Sequence, residues 1–182
     1  MTNGKVTARQ KILAAAAEAA RDVGPAHLSL DAVAQRAGVS KGGLLYHFPN
    51  KAKLLEALVE YHLNVFDQAL CEKDKELQGR PSSLLAAYLE LFMADLDQCQ
   101  PPPSGILAAM AENPGLLAPV KQFNRTLLDR MKVGAESESA ALVIFLALEG
   151  MRSLRLFDVD VLTPEEQQKV LASLAKIAAA KA

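Results

Sequence analysis

An all-α fold is predicted by three features of the sequence. Ala and Leu dominate a chain of 182 residues that is 51% hydrophobic and lacks Trp. The β-branched residues are scattered rather than gathered into alternating runs. Apolar positions recur at three- and four-residue spacing between Ser, Thr and Asn caps and Gly or Pro stops. About nine helices fit this punctuation. The expected division is a small N-terminal unit over residues 1–50, with the start of the fourth helix to about 60, and a larger helical domain over 51–182.

The first helix spans residues 7–23, with Ile12, Leu13, Ala16, Ala19, Ala20 and Val23 on one face and Gly24-Pro25 as its stop. Ser29 is read as the cap of a second helix whose inward stripe is Leu30, Val33, Ala34 and Ala37. Gly38 follows, and Ser40 caps again. Two short helices joined by Ala37-Gly38-Val39 have the spacing of a helix-turn-helix. A third helix over 41–48 halts at Pro49, and Asn50 caps a long fourth over 51–77. Gly79-Arg80-Pro81 breaks the chain before a helix over 82–98, and Pro101-Pro102-Pro103 before a short one over 104–112. Pro114 opens the next, to residue 132. The segment 139–157 is apolar on nearly every side over 140–148, as though buried against two bodies. Thr163-Pro164-Glu165-Glu166 starts the last helix, to about 180, with Val170, Leu171, Leu174 and Ile177 on one face. The last two helices, 139–157 and 164–180, are the expected seam of a homodimer.

The net charge of −1 hides an asymmetry: residues 1–61 carry +3 and the remainder −4. A basic head on an acidic body suits a protein that meets phosphate with one end. Cys71 and Cys99 belong to no Cys/His cluster, so no metal site or cofactor is expected, and they read as reduced thiols in a cytoplasmic protein without a basic neighbour to activate them. The apolar run 140–148 falls far short of the roughly 20 residues of a bilayer span, and the first ten residues lack a secretory core, so no membrane association is expected. The three His, at 27, 47 and 62, form no catalytic or zinc-binding motif, and no P-loop or nucleophile elbow occurs, which argues against an enzyme.

Residues 28–51, LSLDAVAQRAGVSKGGLLYHFPNK, carry the functional signal. Gly38 sits where the turn needs a positive φ, and Ala34 and Ala37 let the helices approach. Val39, Leu44 and Phe48 hold the third helix to its neighbours. Gly42 and Gly43 cost about 1 kcal/mol each in helix propensity, which close approach to a DNA groove would explain, leaving Lys41 and Tyr46 to reach outward. Lys41 can meet a guanine edge or a phosphate. His47 and Lys51 are placed for the sugar-phosphate backbone, and Ser29 for another phosphate at the start of its helix. Thr7 and Arg9 are further candidates.

This stretch resembles the signature of the TetR family of transcriptional regulators. The resemblance implies double-stranded operator DNA as partner, with contacts from Ser29, Lys41, Gly42, Gly43, Leu44, Tyr46, His47 and Lys51. It departs at Leu45, where the family usually has an aromatic. It further implies a repressor that is a homodimer, released from a palindromic operator by a small effector that moves the fourth helix. Candidate pocket residues are Tyr61, His62, Phe66, Tyr88, Phe92, Met93, Met110 and Phe123, with Asn124 as a polar anchor. The same residues read equally as core packing. Scarce buried-looking charge points to a largely apolar effector. The alternative is a DNA-binding protein of this type without a small ligand, acting on the nucleoid or through a partner.

Overall fold

The computed structural model describes residues 7–24, 27–97 and 114–180, which contain eight α-helices and no strand. The helix expected over 104–112, with Met110, Cys99 and the Pro101-Pro102-Pro103 segment, lies outside the described residues. The described residues fall into two compact units, one within 1–64 and 103–120, the other within 65–102 and 121–182.

In the first unit, α1 (Ala8–Val23) begins at a reciprocal cap: Gln10 N donates to Thr7 Oγ1 at 3.2 Å, and Thr7 N to Gln10 Oε1 at 2.8 Å. Its buried face, from Ile12 and Leu13 to Ala20, is mostly alanine, so α2 (Leu30–Ala37) can pack closely through Val33 and Ala34. The turn closes at Gly38, φ +66°. Its N–H donates to Gln35 O at 3.2 Å, and Val39 N to Ala34 O at 3.0 Å. That double return satisfies the end of α2 and requires the left-handed region.

Ser40 then caps α3 (Lys41–His47), its Oγ accepting from Gly43 N at 3.0 Å. Leu44 and Phe48, at 0% and 2% exposure, fix the short helix to the core. Each contributes about 1.5–3 kcal/mol through burial. Asn50 Oδ1 accepts Lys53 N at 2.9 Å and opens α4 (Lys51–Glu76), whose Leu54, Leu55, Ala57 and Leu58 complete this core. Ser29 differs from its expected role. It holds the N-cap position in extended conformation, φ −103°, but its side chain makes no capping bond.

In the second unit, the later part of α4, α5 (Ser83–Asp97), α6 (Leu117–Gly134, entered through a 3-10 turn at Pro114–Leu116), α7 (Glu138–Leu156) and α8 (Pro164–Ala179) supply the elements. They enclose a core of Leu70, Leu85, Tyr88, Phe92, Leu127, Met131, Ile144, Leu148 and Leu174. The first four residues of α6, and the turn before it, belong to the first unit. The break before α5 uses Gly79 at φ +90° and a buried Ser82 at φ +50°. Ser82 Oγ accepts Glu136 N at 3.2 Å, which explains a polar side chain buried there. Thr163 and Glu166 cap α8 reciprocally, with Pro164 in its first turn.

One expectation gains detail and one changes. Within a single chain the α7 helix is buried on one face, through Ala141, Ile144, Phe145, Leu148 and Met151. Leu142, Val143 and Leu146, at 36%, 50% and 66% exposure, form a second apolar face directed outward. Cys71 does have a basic neighbour: Arg130 Nη2 lies 3.3 Å from its Sγ while Nη1 pairs with Asp67 at 2.6 Å. Arg130 is 59 positions from Cys71, beyond the reach of local sequence reading.

The turn geometry generates a stability test. Gly38→Ala should cost about 1–2 kcal/mol, because an L side chain at positive φ is strained. Gly42→Ala adds a methyl in open space, and should leave thermal unfolding unchanged or slightly raised. Unfolding midpoints followed by circular dichroism, lower by a few degrees for Gly38→Ala alone, check the pair.

Candidate functional site

Burial of Leu44 and Phe48 determines which side of α3 is presented. Opposite them stand Gly42 and Tyr46, the latter 84% exposed, while Lys41 is exposed at the first position of the helix. The Leu44 side chain therefore packs in the core, which corrects the expectation that it reaches DNA. Leu45 is partly buried against the same core. The aromatic missing at that position thus leaves a packing contact, and Tyr46 carries the outward ring.

The two glycines have different reasons. A Cβ at Gly42 would meet nothing within 4 Å, whereas one at Gly43 would lie 3.3 Å from Ser40 Oγ, the atom that caps α3. A side chain at Gly43 would crowd that capping hydroxyl. Only Gly42 leaves the outer surface bare without serving the interior.

Around this face, His47 is half-buried, edge-on to Tyr46 with centroids 5.2 Å apart, and Lys51 is the partly buried first residue of α4. Ser29 is exposed at the start of α2. Arg9 lies over the Phe48 ring, 5.4 Å from its centroid, and Thr7 is occupied by its capping box. Sequence reasoning missed one feature: Lys41 Nζ pairs with Asp31 at 3.0 Å, both side chains being well exposed. Asp31 stands ten residues earlier, at the start of α2, and only the turn brings the two together.

The residues expected to line a pocket separate. Tyr61 packs on the N-terminal core and His62 follows it, so both belong to the first unit. Met110 is outside the described residues. Met93 is 43% exposed and lines a groove with Arg80, Pro81, Ala86, Leu89 and Glu90. Phe66, Tyr88, Phe92 and Phe123 do converge. Phe66 is edge-on to Tyr88 and Phe123, with centroids 5.9 and 6.1 Å away. Tyr88 and Phe92 are fully buried and act as core.

The unexpected part of this cluster is ionic. Glu149, on the inner side of α7, accepts the Tyr88 hydroxyl proton, Arg152 Nη1 at 2.6 Å and Asn124 Nδ2 at 3.3 Å. Burial, opposed by the Arg152 charge, pushes the Tyr88 hydroxyl above the ordinary tyrosine range, so it remains a donor to the carboxylate. The Arg152 guanidinium lies 5.5, 5.8 and 5.7 Å from the ring centroids of Phe66, Tyr88 and Phe92. A Glu-x-x-Arg pair in an otherwise apolar segment was the available signal. Among the described residues no three His, Cys, Asp or Glu converge as a metal site, and no helix is long and apolar enough to cross a membrane.

Comparison with known proteins follows this division. Residues 12–58 match the family of bacterial regulatory proteins of the tetR type, and residues 82–179 match the tetracyclin repressor-like C-terminal domain. The nucleoid occlusion factor SlmA of Marinobacter nauticus is 38% identical over 98 residues, which cover 52% of this chain and 49% of that protein. The chain thus spans about half the length of that curated relative. A transcriptional regulator from Streptomyces coelicolor A3(2) has a similar fold, with a TM-score of 0.68, 21% identity, and 95% of this chain and 99% of that one covered. So does the multidrug binding protein EbrR complexed with malachite green, with a TM-score of 0.64, 19% identity, and 93% and 97% covered. With its helix-turn-helix region and most of the remaining chain both matched, the chain belongs to the TetR family of DNA-binding, non-enzymatic transcriptional regulators.

Proposed function

We propose that this protein is a cytoplasmic, homodimeric repressor that binds a palindromic operator and is released from it by a small effector. The observation that carries the DNA part is the outward face of α3, where a bare Gly42 and an 84% exposed Tyr46 stand beside Lys41. A buried inner face holds that surface rigid. Tyr46 and Lys41 read base edges. Ser29, His47 and Lys51 grip phosphate, the last at the amide end of α4. For Lys41 to engage DNA it exchanges Asp31 for an acceptor on the duplex, a trade between two solvated partners that costs little.

The dimer seam is assigned to α7 and α8. Leu142, Val143 and Leu146 form an exposed apolar face on α7, and Ile177 is 36% exposed on α8. Such a face on a charged surface is the kind that a second copy covers. Effector occupancy in the second unit is coupled to DNA binding through α4, which contributes residues to both units.

A second reading is favoured by the similarity to SlmA and by the complete burial of Tyr88 and Phe92, which fill space that a ligand would otherwise take. In it, the protein binds DNA on the nucleoid or under control of a protein partner, without a small ligand. Genome-wide binding separates the two readings. A few sites beside one operon favour the repressor, and many dispersed sites favour the nucleoid protein.

Three variants test the first reading by fluorescence anisotropy on the selected operator and on random duplex. Lys51→Ala should weaken binding to both about equally and lower the salt slope by about one. An unchanged slope removes Lys51 from the phosphate contacts. Tyr46→Ala should reduce operator over random preference, by about tenfold for a lost base contact. Equal loss on both duplexes would reassign the ring to the backbone. Leu146→Asp alters an exposed side chain, so the chain should stay helical yet elute as a monomer in size-exclusion chromatography with light scattering; an intact dimer would refute the seam.

A further inference from the structure

The Glu149 and Arg152 pair has the parts of a ligand site whose occupant belongs to the chain. Glu149 is anchored from two sides by Tyr88 and Asn124, and its side chain is only 21% exposed. It cannot follow a departing partner into water. Arg152 is 37% exposed and lines a groove of about 320 Å³ with Phe66, Ala69, Leu91, Ala94 and Asp95. Its long stem lets the guanidinium swing to solvent, where it is well hydrated.

If Arg152 leaves, it uncovers the faces of Phe66, Tyr88 and Phe92 and removes one of the three donors to Glu149. What remains is an aromatic wall ending in an under-satisfied carboxylate, with Asp95 at the groove adding a second negative charge. Such a site is complementary to a flat apolar body bearing one positive charge, because π faces and a desolvated carboxylate both favour cations. An anion would meet Glu149 and Asp95, and a neutral molecule would leave Glu149 unpaired.

We propose that Arg152 is the resident of a cation cage, and that an aromatic monocation enters through the adjoining groove, displaces Arg152, pairs with Glu149 and covers Phe66, Tyr88 and Phe92. This rests on the reading that the second unit takes a small effector, and it replaces a merely apolar ligand with an apolar cation. Arg152 then acts as an affinity threshold: only cations that outcompete the guanidinium displace it.

The test is calorimetric titration of the full chain with three probes of one shape: N-methylquinolinium, neutral 1-methylnaphthalene and anionic 1-naphthoate. The cation should bind best. Arg152→Met keeps the stem and should tighten the cation about tenfold, and Glu149→Gln should weaken the cation about tenfold without weakening the neutral probe, which makes no ion pair. Circular dichroism confirms that each variant is folded. Equal affinity for the three probes overturns the cage, as does naphthoate binding that Arg152→Met abolishes, since Arg152 would then be an anion anchor. Operator binding, measured with and without the cation, is a separate arm. Cation binding that depends on Glu149 but leaves operator affinity unchanged supports the cage and overturns the release mechanism. Intact operator binding in a chain that no cation enters overturns the cage alone.

Discussion

A helix of seven residues that includes two glycines has no independent stability in water. The DNA-facing surface of this protein therefore depends on the burial of Leu44 and Phe48 in the core made by α1, α2 and the start of α4. That burial decides the rotation of α3 about its own axis. It sends Tyr46 and Gly42 outward, and it draws Leu45 toward the core although a family resemblance would place a ring there. The Ser40 cap and the Gly38 turn supply the end geometry but could not orient the helix alone. The alanines of α1 matter for the same reason, since larger side chains would hold α2 away and tilt α3 with it.

Charge is used differently in the two units. On the first, ion pairs such as Lys41 with Asp31 and Arg36 with Asp22 are exposed, hence weak and exchangeable. They keep the long basic side chains in place without holding them against a competing phosphate. In the second unit Glu149 and Arg152 are partly withdrawn from water, among aromatic rings that strengthen a cationic contact. Leaving either charge alone there is costly, so the pair is far more selective about what replaces its partner.

Local chemistry made much of this legible. Caps at Ser40, Asn50 and Thr163, stops at Gly24 and Gly79 and the periodicity of each helix depend on neighbours within four residues, and the sequence displays those neighbours directly. The Gly38 turn was readable for the same reason. Ser29 shows the limit: its residue type fits a cap, but whether the hydroxyl turns back on its helix depends on the rotamer. Gly43 shows another, since two adjacent glycines look alike until one is found facing the atom that caps the helix.

The chain by itself determined an all-α protein with a helix-turn-helix at residues 28–51, because helix boundaries, turn conformation and apolar stripes follow from short-range sterics and hydrogen bonding. It could also indicate that 139–157 carries more apolar surface than one core needs. Only the tertiary structure decided that this excess lies on a distinct outward face through Leu142, Val143 and Leu146. It alone also sorted the aromatic candidates, placing Tyr61 in one core and Phe66, Tyr88 and Phe123 in another, and brought Asn124, Tyr88 and Arg152 around Glu149. Those groups come from three helices and are up to 64 positions apart. Their meeting depends on how whole helices pack, information distributed over every buried residue and present in no local pattern.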